Sequence, residues 1–440
     1  MPNVGWRSGA RPSRRSAADE TCSRPGNATM TRLFAAILAL LAAAAVHADP
    51  ALEHAKQLLG RSILFDGHND LPWAIRQYEK APGDVAAYDL RGHAPGKGQT
   101  DIPRLREGRV GAVFWSVYTP PEAAGNFART QLEQIDIARR VIARYPDTFQ
   151  LAGTAADVRA AKKAGRIGSM LGLEGGHAIE DSLGALRAYY DLGVRYMTLT
   201  HNRHTHWADS AMQDPPQHGG LSEFGEQVVR EMNRVGMLVD LSHTAPDTMR
   251  DAMRVSRAPV IFSHSAARAV CEIPRNVPDD VIAMLPANGG VLMVTFVSGF
   301  VSQEAADVTL PMIREYLVRA EGKTEAEAKA INEEIRARTV MPRVSVGAVA
   351  DHIEHIRKFA GVDHIGIGSD YDGNTYWPEG LSDVSMFPNL FAELVRRGWS
   401  DKDLRRIAGE NVLRALEQAE AVARRIQAED MVGFAPATRP

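Results

Sequence analysis

Residues able to hold a metal recur at the ends of short apolar runs in this sequence. Ile63-Leu64-Phe65 leads into Asp66-Gly67-His68-Asn69-Asp70, with a histidine two residues before an aspartate. On a strand, residues i and i+2 share a side, so His68 and Asp70 can converge just past a strand end. A neutral imidazole and a carboxylate meeting there form half of a divalent-metal site. Taken alone, the triplet is weak evidence, and a solvated turn after a buried strand is the commoner reading. Other runs end in the same way. Glu174 closes Gly172-Leu173-Glu174, His201 closes Thr198-Leu199-Thr200-His201, and His243 closes Asp240-Leu241-Ser242-His243. His264 follows Val260-Ile261-Phe262-Ser263, and Asp370 follows Gly366-Ile367-Gly368-Ser369.

This inventory suits two ions: His68 and Asp70 on one, His243 and His264 on the other, and Glu174 bridging through its two oxygens. Nitrogen and oxygen donors without thiolates favour Zn²⁺, with Mn²⁺ and Co²⁺ as alternatives. Two ions about 3.5–4 Å apart can share a bridging hydroxide and polarise a carbonyl, which is hydrolytic chemistry. Asp370 is the candidate for proton transfer. His201 is the candidate donor to a developing oxyanion. Arg275, in Pro274-Arg275-Asn276-Val277-Pro278, is either a fork for a substrate carboxylate or a structural salt bridge, and the residues alone leave both open. Of the remaining histidines, His177 is expected to be structural, and His204 and His206 belong to a polar loop that could line a pocket mouth. His352, His355 and His364 are expected on the surface or in packing. Asp372 and Glu379 are expected to shape the loop after the last run, and Trp73 and Tyr376 to supply apolar wall or packing.

Something must bring these residues to one place. The apolar runs are Ile63–Phe65, Val110–Trp115, Ile167–Leu173, Tyr196–Thr200, Leu238–Leu241, Val260–Phe262, Val291–Phe296 and Ile365–Ile367. Segments with helical spacing separate them: Asn126–Ala143, Ser182–Leu192, Ser222–Val235, Ala245–Val255 and Val346–Phe359. Alternating strand and helix signals imply βαβ units and a parallel sheet, and near-continuous apolar strands fit a sheet buried on both faces. Eight units suggest a TIM-type (β/α)₈ barrel, whose active sites lie at the C-terminal ends of the strands. A doubly wound sheet is the alternative, but no G-x-G-x-x-G follows the first run. Gln303–Arg343 is long, charged and helical. It reads as an inserted helical pair between the seventh and eighth strands, serving as a lid or a dimer surface.

The 440 residues carry a net charge of −3, which offers no electrostatic case for nucleic acid. The two cysteines, Cys22 and Cys271, lie in no C-x-x-C pattern. Residues 1–48 read as a leader. Met30-Thr31-Arg32, an apolar run from Leu33 and a small-residue end at Ala48 have the form of a secretory signal, with Met30 the expected true start. Residues 49–430 are expected to form one catalytic barrel and residues 431–440 a flexible tail. A secreted or periplasmic protein without a stable membrane anchor follows.

Several blocks together resemble the membrane (renal) dipeptidase family of the amidohydrolase superfamily. They are Asp66-Gly67-His68-Asn69-Asp70-Leu71-Pro72-Trp73, Glu174-Gly175-Gly176-His177, Leu199-Thr200-His201, Asp240-Leu241-Ser242-His243, Phe262-Ser263-His264-Ser265, Arg275-Asn276-Val277-Pro278-Asp279 and Gly368-Ser369-Asp370-Tyr371-Asp372-Gly373. They occur in the family's order across roughly residues 60–420. The resemblance implies a zinc-dependent dipeptidase. One zinc is held by His68, Asp70 and bridging Glu174, and the other by Glu174, His243 and His264. It casts His201 as the substrate-side histidine, Arg275 as the arginine for the substrate carboxylate and Asp370 as the proton-transfer aspartate. The expected partner is a dipeptide, and the expected assembly a homodimer. The animal enzymes carry disulfides and a lipid-anchor signal, whereas here Cys271 has no partner and the tail lacks a hydrophobic run. Two other readings stand beside this one: another amidohydrolase such as a lactonase, phosphotriesterase or deacetylase, and a non-catalytic binding protein on a retained barrel. The first commonly uses a carboxylated lysine on the fourth strand, where this sequence has His201. Lost ligands would signal the second, and none is missing.

Overall fold

Hydrophobic periodicity is realised as nine parallel strands in the computed structural model, which describes residues 49–92, 98–121 and 126–433. They are β1 (Leu64–Asn69), β2 (Val110–Tyr118), β3 (Phe149–Leu151), β4 (Ile167–Glu174), β5 (Val194–Thr198), β6 (Leu238–Asp240), β7 (Ile261–Ser265), β8 (Val291–Val294) and β9 (Ile365–Ile367). Eight of them close into a barrel in the order β1-β2-β4-β5-β6-β7-β8-β9, with β9 returning to β1. This is the TIM-type (β/α)₈ fold expected from the eight apolar runs. β3 is the addition. It pairs only with the start of β4, through Phe149 opposite Ile167. Three residues long, with Leu151 40% exposed, it carries no apolar run to betray it.

Successive strand residues divide between two cores, as the pleat requires. Phe65, Phe114, Met170, Tyr196 and Met293 share one cluster with Val412, Leu413 and Leu416 of the C-terminal helix Asn411–Gly433. Their neighbours Leu64, Val113, Trp115, Leu171, Met197 and Leu292 join the larger cluster with the surrounding helices. Phe114 of β2 meets Tyr196 of β5 with ring centroids 4.8 Å apart, although those strands are not neighbours. That contact crosses the barrel interior. Gly172 makes it possible, because a Cβ there would stand 2.0 Å from the Tyr196 ring.

Two interruptions of strict alternation matter for the site. The β1–β2 register shifts between Asp66 and Asn69, and the β7–β8 register shifts between Phe262 and Ser265. Each shift brackets a ligand-type histidine, His68 or His264. Bulges of this kind re-aim side chains beside active sites. The simple i, i+2 rule therefore reaches the right convergence through an irregular strand end, with Asp70 already at the N-cap of the helix Leu71–Arg76.

The insertion folds as two helices, Gln303–Arg319 and Glu325–Ala337. Gly322, at φ +68°, supplies the left-handed turn between them, and Thr324 with Glu327 closes a capping box on the second helix. The residues of the expected leader and residues 434–440 of the expected tail lie outside the described residues. The C-terminal helix itself runs on to Gly433. Among the described residues, no helix is long and apolar enough to cross a membrane.

Candidate metal centre and active site

Glu174 ends β4 with its side chain buried, and every expected donor gathers around it. Its Oε2 lies 3.4 Å from His68 Nε2, and its Oε1 lies 3.1 Å from His243 Nε2, 3.4 Å from His264 Nε2 and 3.8 Å from His201 Nε2. Asp70 Oδ2 stands 3.2 Å from His68 Nε2 on the far side. Three groups have donor atoms within 4.8 Å of one another: His68, Glu174 and His264; Glu174, His201 and His243; and His68, Asp70 and Asp370. The groups interleave, so His201 and Asp370 fall within the same donor clusters as the five expected ligands.

The outer nitrogen of each ligand-type imidazole is already engaged. His68 Nδ1 is 2.7 Å from Tyr196 Oη, His264 Nδ1 is 2.8 Å from Ser263 Oγ and His243 Nδ1 is 3.2 Å from Asn202 Oδ1. An acceptor at Nδ1 fixes the N–H there and leaves the Nε2 lone pair facing inward, as metal-bound histidines require. His243 Nε2 and His264 Nε2 then face each other at 3.0 Å, both buried. Burial first, then the positive charge of neighbouring imidazoles and Arg275, holds His201, His243 and His264 well below the ordinary histidine range. Burial likewise raises Glu174, and burial with the nearby Asp70 carboxylate raises Asp370 well above the usual carboxylate value. His68 goes the other way: burial pulls it down, but Tyr196 and the Asp70 and Glu174 carboxylates hold it well above the ordinary histidine range. Imidazoles and carboxylates crowded around one another out of water form a donor set that divalent cations fit.

The backbone beneath the donors is held by two buried aspartates. Asp240 Oδ1 accepts from the amides of Ser242 and Ser263, and its Oδ2 from the hydroxyl of Ser263. Asp66 Oδ1 accepts from the Ser369 amide and its Oδ2 from the Ser369 hydroxyl. These bonds tie β6 to β7 and β1 to the segment after β9, at the residues just before His243, His264 and Asp370. His243 (φ +67°) and Asp370 (φ +68°) both sit in the left-handed region, which non-glycine residues occupy sparingly and which clusters at functional sites. Nothing in the sequence announces that conformation. Tyr196, Ser116 (3.2 Å from Glu174 Oε2), Asn202 and Asn374 (3.0 Å from Asp370 Oδ2) are further site residues that the ligand pattern does not mark. For Tyr196 a signal existed: a tyrosine inside an apolar strand must find a partner for its hydroxyl.

Arg275 is fully buried. It donates to Ser265 Oγ at 2.8 Å and to the His264 carbonyl at 2.9 Å, and its Nε has no partner. Burial lowers its pKa to about 10. Among the described residues it forms no ion pair. A cavity of about 400 Å³ opens above the donors, lined by Asp70, Glu174, His201, His243 and Asp370, with Trp73 and Tyr376 in its wall. Arg275 is not part of that lining. His177 donates from Nε2 to the Thr119 carbonyl at 2.8 Å and is structural. His204 and His206 pair with Asp209 and Asp181 and do not line the cavity. His352 is buried, accepting from the Ala267 amide, while His355 pairs with Asp279 and His364 bonds to the Gly290 carbonyl. Asp372 and Glu379 hold the loop after β9, through the Gln99 amide and through Arg343.

Residues 52–430 match the family described as membrane dipeptidase, peptidase family M19. The chain belongs to the membrane dipeptidase family. It is 41% identical over 390 residues to the dipeptidase verJ of Clonostachys rogersoniana, spanning 86% of this chain and 90% of that one. The probable dipeptidase PvdM of Pseudomonas aeruginosa shares the fold at a TM-score of 0.72 and 24% identity, over 85% of this chain and 99% of that one. A metallopeptidase of Rhodobacter sphaeroides, solved with a phosphinate mimic of the dipeptide L-Ala-D-Ala, matches at a TM-score of 0.66 and 25% identity, over 81% and 99%. This membrane dipeptidase family member is therefore a metallo-dipeptidase, and the donor cluster at the barrel mouth is its candidate metal centre.

Proposed function

We propose that this chain is a dizinc dipeptidase in which His68, Asp70 and Glu174 hold one ion and Glu174, His243 and His264 hold the other. The observation that carries this reading is the division of Glu174, one oxygen toward His68 and the other toward His243 and His264. Two such ions supply a water that ionises near neutral pH and a Lewis acid for the scissile carbonyl. The chain's own groups do the rest. Asp370 takes a proton from the attacking water and returns it to the leaving amine. His201, whose Nδ1 is buried without a partner, donates to the oxyanion. Arg275 is assigned to the dipeptide's free carboxylate on the family resemblance; its two terminal nitrogens hold Ser265 and the His264 carbonyl, and its Nε is the N–H left for the substrate. We further propose that the leader directs the enzyme to the periplasm or outside the cell, and that it works there as a homodimer.

The Arg275 assignment has a direct test. Arg275→Ala is expected to lower kcat/KM on dipeptides about 10- to 100-fold, the value of a lost charge-assisted hydrogen bond. Hydrolysis of a dipeptide amide, slower from the outset, should change little. Equal losses on both substrates would mean that Arg275 acts only by holding Ser265 and the His264 carbonyl.

A further inference from the structure

The inserted helices form one side of the substrate cavity. Met312, Ile313 and Tyr316 come from the first helix, and Ala328, Ile335 and Arg336 from the second, in a cavity that also contains the metal donors. The wall also carries charged members. Glu325 is bonded to Arg76 and Gln77. Lys329 pairs with Glu79 at 3.6 Å and Glu333 at 3.8 Å. The Arg336 guanidinium alone among the charged lining residues of the insertion has no hydrogen bond or ion pair among the described residues, and the residue is half-buried. Its backbone carbonyl accepts from Tyr376 Oη at 3.3 Å, which ties this turn of the helix to the loop after β9.

A guanidinium remains charged at any physiological pH. Drawing it partly out of water without an anion is costly unless something else supplies the anion. The burial acts here: it pulls the Arg336 pKa down, against the weaker opposing influence of Tyr376, Tyr316 and Glu333. Arg336 lines the cavity, and on the dipeptidase reading a dipeptide is the molecule that enters it. We propose that Arg336 is a specificity-determining residue that binds a carboxylate of the substrate, either an acidic side chain or the α-carboxylate. This rests on the dipeptidase reading of the same cavity and adds a residue outside the barrel to it. Lys329 is already paired, so Arg336 is the unpaired positive charge of this wall and selects acidic over neutral dipeptides, or grips every dipeptide by its terminus.

The test compares wild type, Arg336→Gln and Arg336→Lys on the isosteric pairs Ala-Glu and Ala-Gln, and Glu-Ala and Gln-Ala. If the partner is a side chain, wild type favours the acidic member of at least one pair by about 10- to 100-fold, and Arg336→Gln erases that preference through KM with kcat kept. If the partner is the α-carboxylate, Arg336→Gln raises KM on all four by a similar factor. In either case Arg336→Lys restores part of the loss. The assignment is overturned if Arg336→Gln matches wild type on all four, if it lowers kcat while KM stays fixed, or if Arg336→Lys shares the loss in full. If wild type cleaves none of the four, the dipeptidase reading fails and the assignment with it; if wild type cleaves them and Arg336→Gln matches it, the assignment alone fails.

Discussion

Glu174→Gln is expected to lose bound metal and dipeptidase activity together, with kcat/KM falling about 10³-fold or more, equivalent to roughly 4 kcal/mol of transition-state stabilisation. The exchange is isosteric, so it leaves no cavity and the fold should persist by circular dichroism. What changes is charge and lone pairs. Glu174 presents one oxygen to His68 and the other to His243 and His264. Glutamine keeps a single oxygen and turns an N–H₂ group toward one of the two imidazole sets, where a lone pair is needed. Ser116, which donates to Oε2, cannot compensate. Metal content by atomic absorption, measured beside kcat, decides the matter. An unchanged zinc content would sink the bridging role.

Asp370→Asn is expected to behave differently. Bound metal should remain, while kcat drops about 10²- to 10⁴-fold, the range for a lost general base. Asparagine tolerates the left-handed backbone that Asp370 occupies, so local strain should not confound the result. A near-normal kcat would reject proton transfer. Loss of metal along with turnover would instead place Asp370 among the ligands, a possibility its grouping with His68 and Asp70 makes worth measuring.

The barrel and the donors were legible in the sequence for the same reason. Strands buried on both faces read as apolar runs, and a barrel's chemistry sits where those runs stop, so Glu174, His201 and His243 could be picked out by position. The Gln303–Arg343 insertion was legible from its length, charge and helical spacing. What stayed hidden depends on three-dimensional detail. β3 is too short to leave a pattern. The register shifts beside His68 and His264 arise from pairing with β2 and β8, which no local spacing records. Tyr196 is distant in sequence from His68 and is brought to it across the barrel, over the space left by Gly172. Arg336 reads as one more charge on a charged helix until the cavity shows which of those charges is unpaired. Arg275 was placed by its motif, and its engagement with Ser265 and the His264 carbonyl makes it a support of the donor cluster as well as a candidate substrate fork.

The central claim is that one centre of two ions, joined by Glu174, does the chemistry. Stepwise addition of Zn²⁺ to metal-free enzyme, with L,L and L,D dipeptide hydrolysis and bound metal measured at each step, tests it most directly. The account predicts that activity rises until two zinc ions are bound per chain and then stops. Full activity at one ion per chain, or undiminished activity in the metal-free enzyme, would contradict it.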